Sequence, residues 1–103
     1  MREGEPGGSF FLVAKGEVKV HRQNRLLNMV GASEFFGEMG YIWGGEQPRH
    51  ATADAMTDLL LCEFEPAAVG QMSLGAQLQV VKALTRNVID RLALANSRLA
   101  NVR

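Results

Sequence analysis

Two side chains stand where their types and spacing suggest a shared task. Glu38 closes the stretch Phe35–Phe36–Gly37–Glu38, and Arg49 lies in Pro48–Arg49–His50–Ala51–Thr52, within FFGEMGYIWGGEQPRHAT. An ionised carboxylate only accepts hydrogen bonds and suits a pair of hydroxyls, as on a ribose. A guanidinium offers a rigid fork of donors that matches phosphate oxygens. A short helical turn over Met39–Ile42 would aim backbone N–H groups at an anion, and Gly37 would let a ligand approach the main chain. Together these groups ask for a nucleotide with a compact phosphate. The plainer alternative is a surface arginine and a carboxylate at a helix start, where the helix dipole favours it. The joint presence of F-G-E and P-R-H-A-T argues against that alternative.

The elements around this loop read as short strands. In SFFLVAKGEVKVHR two segments meet near Lys15–Gly16, and Val18 and Val20 alternate with Glu17, Lys19 and His21, the pattern of a half-buried strand. Gln23–Asn24 predicts a turn before RLLNMV, and Gly31–Ala32–Ser33 ends that strand. ATADA and LLLCEFE follow, separated by Met56–Thr57–Asp58. Many short strands with closely spaced turns predict a sandwich, barrel or jelly roll. Pro66 suits a first helical position, so PAAVGQM is a short helix. Gly75 then punctuates, and a longer helix is expected from about Gln77 onward. On it Leu78, Val81, Thr85, Val88, Leu92, Ala95, Leu99 and Val102 follow a 3-4 spacing with seven of the eight apolar. That is a heptad seam, and Val80, Leu84 and Ile89 widen the apolar face near its start. A helix that meets its own copy is preferred over one that only packs on the strands, because the stripe persists to the last residues.

Composition narrows the class. The chain has 103 residues, enough for one domain, with 47% hydrophobic and 21% charged residues and a net charge of zero. Bulk electrostatics therefore gives no reason to expect nucleic acid as a partner. No apolar run approaches the ~18 residues of a membrane span, and MREGEPGG lacks a secretory core. The single cysteine, Cys62, fits a reducing cytoplasm, and in its apolar strand run it is expected to be a buried small residue. Charge is divided unevenly: residues 1–77 hold six Lys/Arg against ten Asp/Glu, whereas residues 78–103 hold five basic residues against Asp90. With only His21 and His50 and no ligand spacing around them, a metal site is not expected. No nucleophile–base pair stands out, so an enzyme is not expected either. Tyr41 and Trp43 are read as packing residues of the short helical turn.

These residues carry a family resemblance. FFGEMGYIWGGEQPRHAT resembles the phosphate-binding cassette of cyclic nucleotide-binding domains: F-G-E, a small residue two after the Glu, then Pro-Arg, a small residue and Ala. The flanks agree, since REGEPGGSFFLVAKGEVKV resembles the family's first hairpin region and MTDLLLCEFEP its closing strand and helix entry. The resemblance implies a mainly β fold, a double-stranded, jelly-roll-like β-roll followed by a short helix and a long amphipathic helix. The roll would occupy residues 1–65, with the cassette at 35–52, and the C-terminal helices residues 66–103. It also implies that Glu38 binds the ribose 2′-hydroxyl and Arg49 the cyclic phosphate, with groups at Phe36, Gly37, Met39, His50 and Ala51 around them. By alignment of DRLALANSRL, Asn96 lies where a polar residue meets an adenine edge; a solvent-facing role is the alternative. His50 stands where a small or hydroxylic residue is usual, and it is read either as a phosphate contact or as a neutral loop histidine. Glu38 and Arg49 are separated by a long version of the loop, with Gly44–Gly45 in the extra room. The family's opening helix and first strand have no counterpart, which implies a shortened domain.

The expected function is then a cyclic nucleotide-binding regulatory domain. Its ligand would be cAMP rather than cGMP, because position 50 lacks a hydroxyl, and it would relay binding through its C-terminal helix in a cytoplasmic homodimer. One alternative is a roll without ligand that serves as a dimerisation module. Another is the sensor portion of a transcription regulator of the catabolite-activator type. The chain stops before any helix-turn-helix, so no direct nucleic-acid contact and no membrane contact are expected from this segment.

Overall fold

The structure is a computed structural model that describes residues 1–44 and 48–100, with side chains to residue 97. The chain divides into two compact units, Met1–Gln71 and Met72–Arg103. In the first unit the strands are β1 (Phe10–Lys15), β2 (Val18–Arg22), β3 (Arg25–Val30), β4 (Phe35–Phe36), β5 (Thr52–Ala55) and β6 (Leu60–Phe64). Helix α1 (Glu38–Trp43) sits between β4 and β5, and α2 (Pro66–Gly70) follows β6.

Two antiparallel three-stranded sheets result, in the orders β4-β1-β6 and β3-β2-β5. β1 and β2 are successive lengths of one strand that changes sheet at Gly16, where φ is 100°. A left-handed residue at that corner favours glycine, and a Cβ there would lie 2.4 Å from the Asp58 carbonyl oxygen. The partner ribbon turns at the same place: β5 pairs with β2, with Val18 opposite Ala55, and β6 pairs with β1, with Phe10 opposite Phe64. Thr57 ties the two corners, its Oγ1 accepting from Glu17 N–H at 3.0 Å. A ribbon that folds over in this way makes a roll. Between β2 and β3, Gln23 and Asn24 both take positive φ, 51° and 63°, as the two central residues of a primed hairpin turn do.

The alternation read in β2 buries Val18, which joins Val13, Val30 and Phe36 in a core flanked by Met1, Phe11, Val20, Ala53 and Leu59. A second set is aromatic. Phe10 is fully buried, stacks on Phe64 with ring centroids 4.9 Å apart, and meets Tyr41 of α1 at 4.7 Å. Tyr41 therefore packs as expected and fastens α1 to β1. Trp43 does not: it is 74% exposed. Six helical residues cannot turn both side chains to the same sheet, since positions two apart lie on different faces. Cys62 is likewise exposed rather than buried. It lies on β6, the last strand of its sheet, whose residues Leu60 and Leu61 are also exposed. An apolar run fixes a strand, whereas its burial depends on what covers that strand.

Pro66 takes the first turn of α2, entered from Glu65 in an extended conformation. In the second unit, α3 runs Leu74–Ala100 and so begins about one turn before the expected Gln77. Ser73 explains the earlier start: its Oγ accepts from Ala76 N–H at 3.1 Å, capping the first turn. Gly75 lies inside that turn and does not interrupt it. Of the seam positions, Leu78, Val81, Val88 and Leu92 are exposed; of the residues expected to widen the apolar face, Leu84 is buried, whereas Ile89 is exposed and does not widen a buried face. The side chains of Leu99 and Val102 lie outside the described residues. Among the described residues no helix is long and apolar enough to cross a membrane.

Candidate functional site

The residues of the Gly37–Glu38 end of the loop lie where β4 ends. β4 is held against β1 with Phe36 opposite Phe11, and their rings stack at 5.0 Å. The chain then needs a sharp change of direction before α1, and Gly37 supplies it in the left-handed region, with φ 77° and ψ 8°. Glu38 opens α1 in its first turn and is only 6% exposed, the one charged side chain buried among the described residues. The approach to Arg49 is built differently. Residues 1–6 run antiparallel to residues 48–53, joined by a bridge between Pro6 and Pro48. Arg49 N–H donates to the Glu5 carbonyl at 2.7 Å, and Gly4 N–H donates to the Arg49 carbonyl at 2.9 Å. Both main-chain groups of Arg49 are thereby fixed before its side chain is considered.

That side chain reaches back across the loop. Arg49 Nη1 donates to the Gly37 carbonyl at 3.1 Å. Burial pulls the guanidinium below its ordinary pKa, with the Glu63 carboxylate opposing the shift. A cation that has lost part of its hydration is a favourable place for an anion, because the anion restores the missing stabilisation. One of the five N–H donors of the fork is committed to Gly37. The arrangement can therefore hold a phosphate at the guanidinium and a hydroxylated group near the adjoining carboxylate.

The structure brings Gly37, Glu38 and Arg49 to one end of the roll. Phe36 is buried with its ring in the core, so what it can offer a ligand is its main chain. Ala51 is buried, whereas Met39 and His50 are exposed. Asn96 is exposed on α3, in the second unit. Gly44 ends α1 with φ 76°, whereas Gly45 lies outside the described residues. Sequence reasoning missed Gly7, which lies directly against the Arg49 guanidinium. The Gly7–Gly8 pair ahead of a strand was the available signal, since adjacent glycines mark close approach as well as turns. Among the described residues no group of three or more His, Cys, Asp or Glu side chains is placed to hold a metal ion.

Comparison with known proteins adds an independent line. The family model described as cyclic nucleotide-binding domain matches residues 1–74. A cGMP-dependent protein kinase of Plasmodium berghei is 30% identical over 69 residues, 67% of this chain and 8% of its own length. A CRP-like cAMP-activated global transcriptional regulator of Mycobacterium tuberculosis is 28% identical over 105 residues, 97% of this chain and 46% of its own length. The chain thus spans less than half the length of either curated relative. Among solved structures, a cyclic nucleotide-binding domain from Methylobacillus flagellatus superposes with a TM-score of 0.83 at 25% identity, covering 97% of this chain and 60% of that one.

Proposed function

The chain belongs to the cyclic nucleotide-binding domain family, and on that premise we propose that it is a regulatory domain whose preferred ligand is cAMP. The observation that carries the proposal is Arg49: a partly desolvated guanidinium, its main chain fixed on both sides, aimed at the end of β4 where Glu38 begins α1. In this reading Arg49 binds the cyclic phosphate. Glu38 accepts from the ribose 2′-hydroxyl, while main-chain groups from Phe36 to Met39 complete the pocket beside His50 and Ala51. The two curated relatives name different nucleotides, so the preference is argued from this chain: position 50 offers an imidazole and no hydroxyl.

The role is binding and relay, without turnover. Ligand binding biases the conformation of the C-terminal helices, and a coupling of about 1–3 kcal/mol between ligand and helix is enough for a useful switch. A homodimer through α3 is part of the proposal. Its support is that Leu78, Val81, Val88 and Leu92 stand in solvent in the single chain at seam spacing. Calorimetric titration of the whole chain with cAMP and with cGMP tests the reading. Saturable binding with cAMP tighter is expected. Absence of heat with either nucleotide at millimolar concentration would favour a roll that serves only as a dimerisation module.

A further inference from the structure

The strap formed by residues 1–7 does more than pair with the segment that bears Arg49. Its outer part is fixed by Ala53 N–H to the Met1 carbonyl at 3.0 Å and by Glu3 N–H to Thr52 Oγ1 at 2.9 Å. Its inner end, Gly7, lies under the arginine side chain. A Cβ at Gly7 would sit 2.6 Å from Arg49 Nε, 2.8 Å from Nη2 and 2.9 Å from Cζ. The remaining nitrogen, Nη1, is the one bonded to the Gly37 carbonyl at 3.1 Å. The fork is thus seated with its Nε–Nη2 side against Gly7 and its Nη1 against Gly37.

Gly7 has no room to recoil. A Cβ at Gly40 of α1 would lie 2.6 Å from the Gly7 carbonyl oxygen, so the strap is wedged between the guanidinium and the helix. α1 is in turn fastened to β1 through Phe10 and Tyr41. The backbone at Gly7 lies outside the left-handed region, so an added methyl group meets no backbone strain of its own. What must move is the guanidinium, by roughly 1 Å, to regain ordinary contact distance.

We propose that Gly7 is a positioning residue for Arg49, its missing side chain setting where the guanidinium meets a bound phosphate. The proposal rests on the cyclic-nucleotide reading above. A displacement of roughly 1 Å takes a hydrogen bond near 3 Å out of its favourable range. Loss of one charge-assisted bond to the phosphate corresponds to about a tenfold or greater fall in affinity. Gly7→Ala in the whole chain should therefore weaken cAMP by about tenfold or more while its thermal unfolding midpoint stays close to that of the wild type.

A double-mutant cycle separates positioning from general damage. In an Arg49→Lys background the ammonium has no fork to displace, so Gly7→Ala should add less than about a twofold loss. Crystal structures of wild type and Gly7→Ala supply a readout that needs no ligand: Arg49 Nη1 should leave hydrogen-bonding distance of the Gly37 carbonyl in the variant. An equal loss in both backgrounds, wild-type affinity in Gly7→Ala, or a guanidinium that stays bonded to Gly37 would each overturn the proposal. If Arg49→Ala itself leaves cAMP affinity unchanged, the nucleotide reading falls instead, and the two crystal structures still decide whether Gly7 sets the position of Arg49.

Discussion

Arg49 and Gly37, twelve residues apart, are joined by a hydrogen bond from Nη1 to the main-chain carbonyl. The bond closes the loop at its base and turns a flexible cation toward the start of α1. It exists because Gly37 adopts a left-handed conformation and because the Arg49 main chain is clamped by Gly4 and Glu5. A phosphate bound at this arginine shares the fork with that carbonyl or displaces it. The consequences for ligand binding follow from which groups surround this pair.

Glu38 is buried beside Gly37, and its proposed partner is the ribose 2′-hydroxyl. Exchanging a charged acceptor for a neutral one should cost roughly 1–2 kcal/mol, or about 5- to 30-fold in affinity. Glu38→Gln should therefore weaken cAMP to that extent and weaken 2′-deoxy-cAMP much less, because the hydroxyl is already gone. Calorimetry on the four combinations checks it. Equal losses for both nucleotides would detach Glu38 from the ribose.

His50 is exposed next to Arg49. With an imidazole and no hydroxyl at this position, His50→Ser should improve cGMP binding relative to cAMP. An unchanged ratio of the two affinities would remove His50 from the site.

The seam residues of α3 make a separate prediction. Sedimentation should report a dimer for the wild type, and Val88→Asp combined with Leu92→Asp should give monomers by placing like charges at facing positions. A wild-type chain that stays monomeric at high concentration contradicts the proposed seam.

Ser73 is predicted to matter for stability. Ser73→Ala removes the cap at Ala76 N–H and should cost about 1 kcal/mol, measured by urea denaturation. An unchanged midpoint would show that solvent serves that N–H equally well.

Much of this architecture was legible locally, and the failures have a common cause. The break at Lys15–Gly16, the turn at Gln23–Asn24 and the helix entry at Pro66 were readable because each depends on the conformational preferences of the residues themselves. Glu38 and Arg49 stand out in the sequence because their chemistry and spacing form a motif, and the structure places Arg49 against Gly37, the neighbour of Glu38. Cys62 and Trp43 were misjudged because both sit in apolar neighbourhoods whose covering elements are not encoded nearby. The start of α3 was placed late because Gly75 outweighed the cap at Ser73. Gly7 escaped notice because its neighbour in space, Arg49, is far along the chain, and only the pairing of residues 1–6 with 48–53 brings them together.

The most direct test of the central claim is titration of cAMP into the wild type and Arg49→Ala. Charge-assisted hydrogen bonds contribute roughly 1.5–3 kcal/mol each, and stranding a desolvated phosphate raises the loss toward ~3–5 kcal/mol. At about 1.4 kcal/mol per tenfold, Arg49→Ala should weaken cAMP by at least ~100-fold. Arg49→Lys should recover only part of this, since a point charge cannot reproduce the fork. Unchanged cAMP affinity in a folded Arg49→Ala protein would contradict the assignment of this loop as the phosphate site.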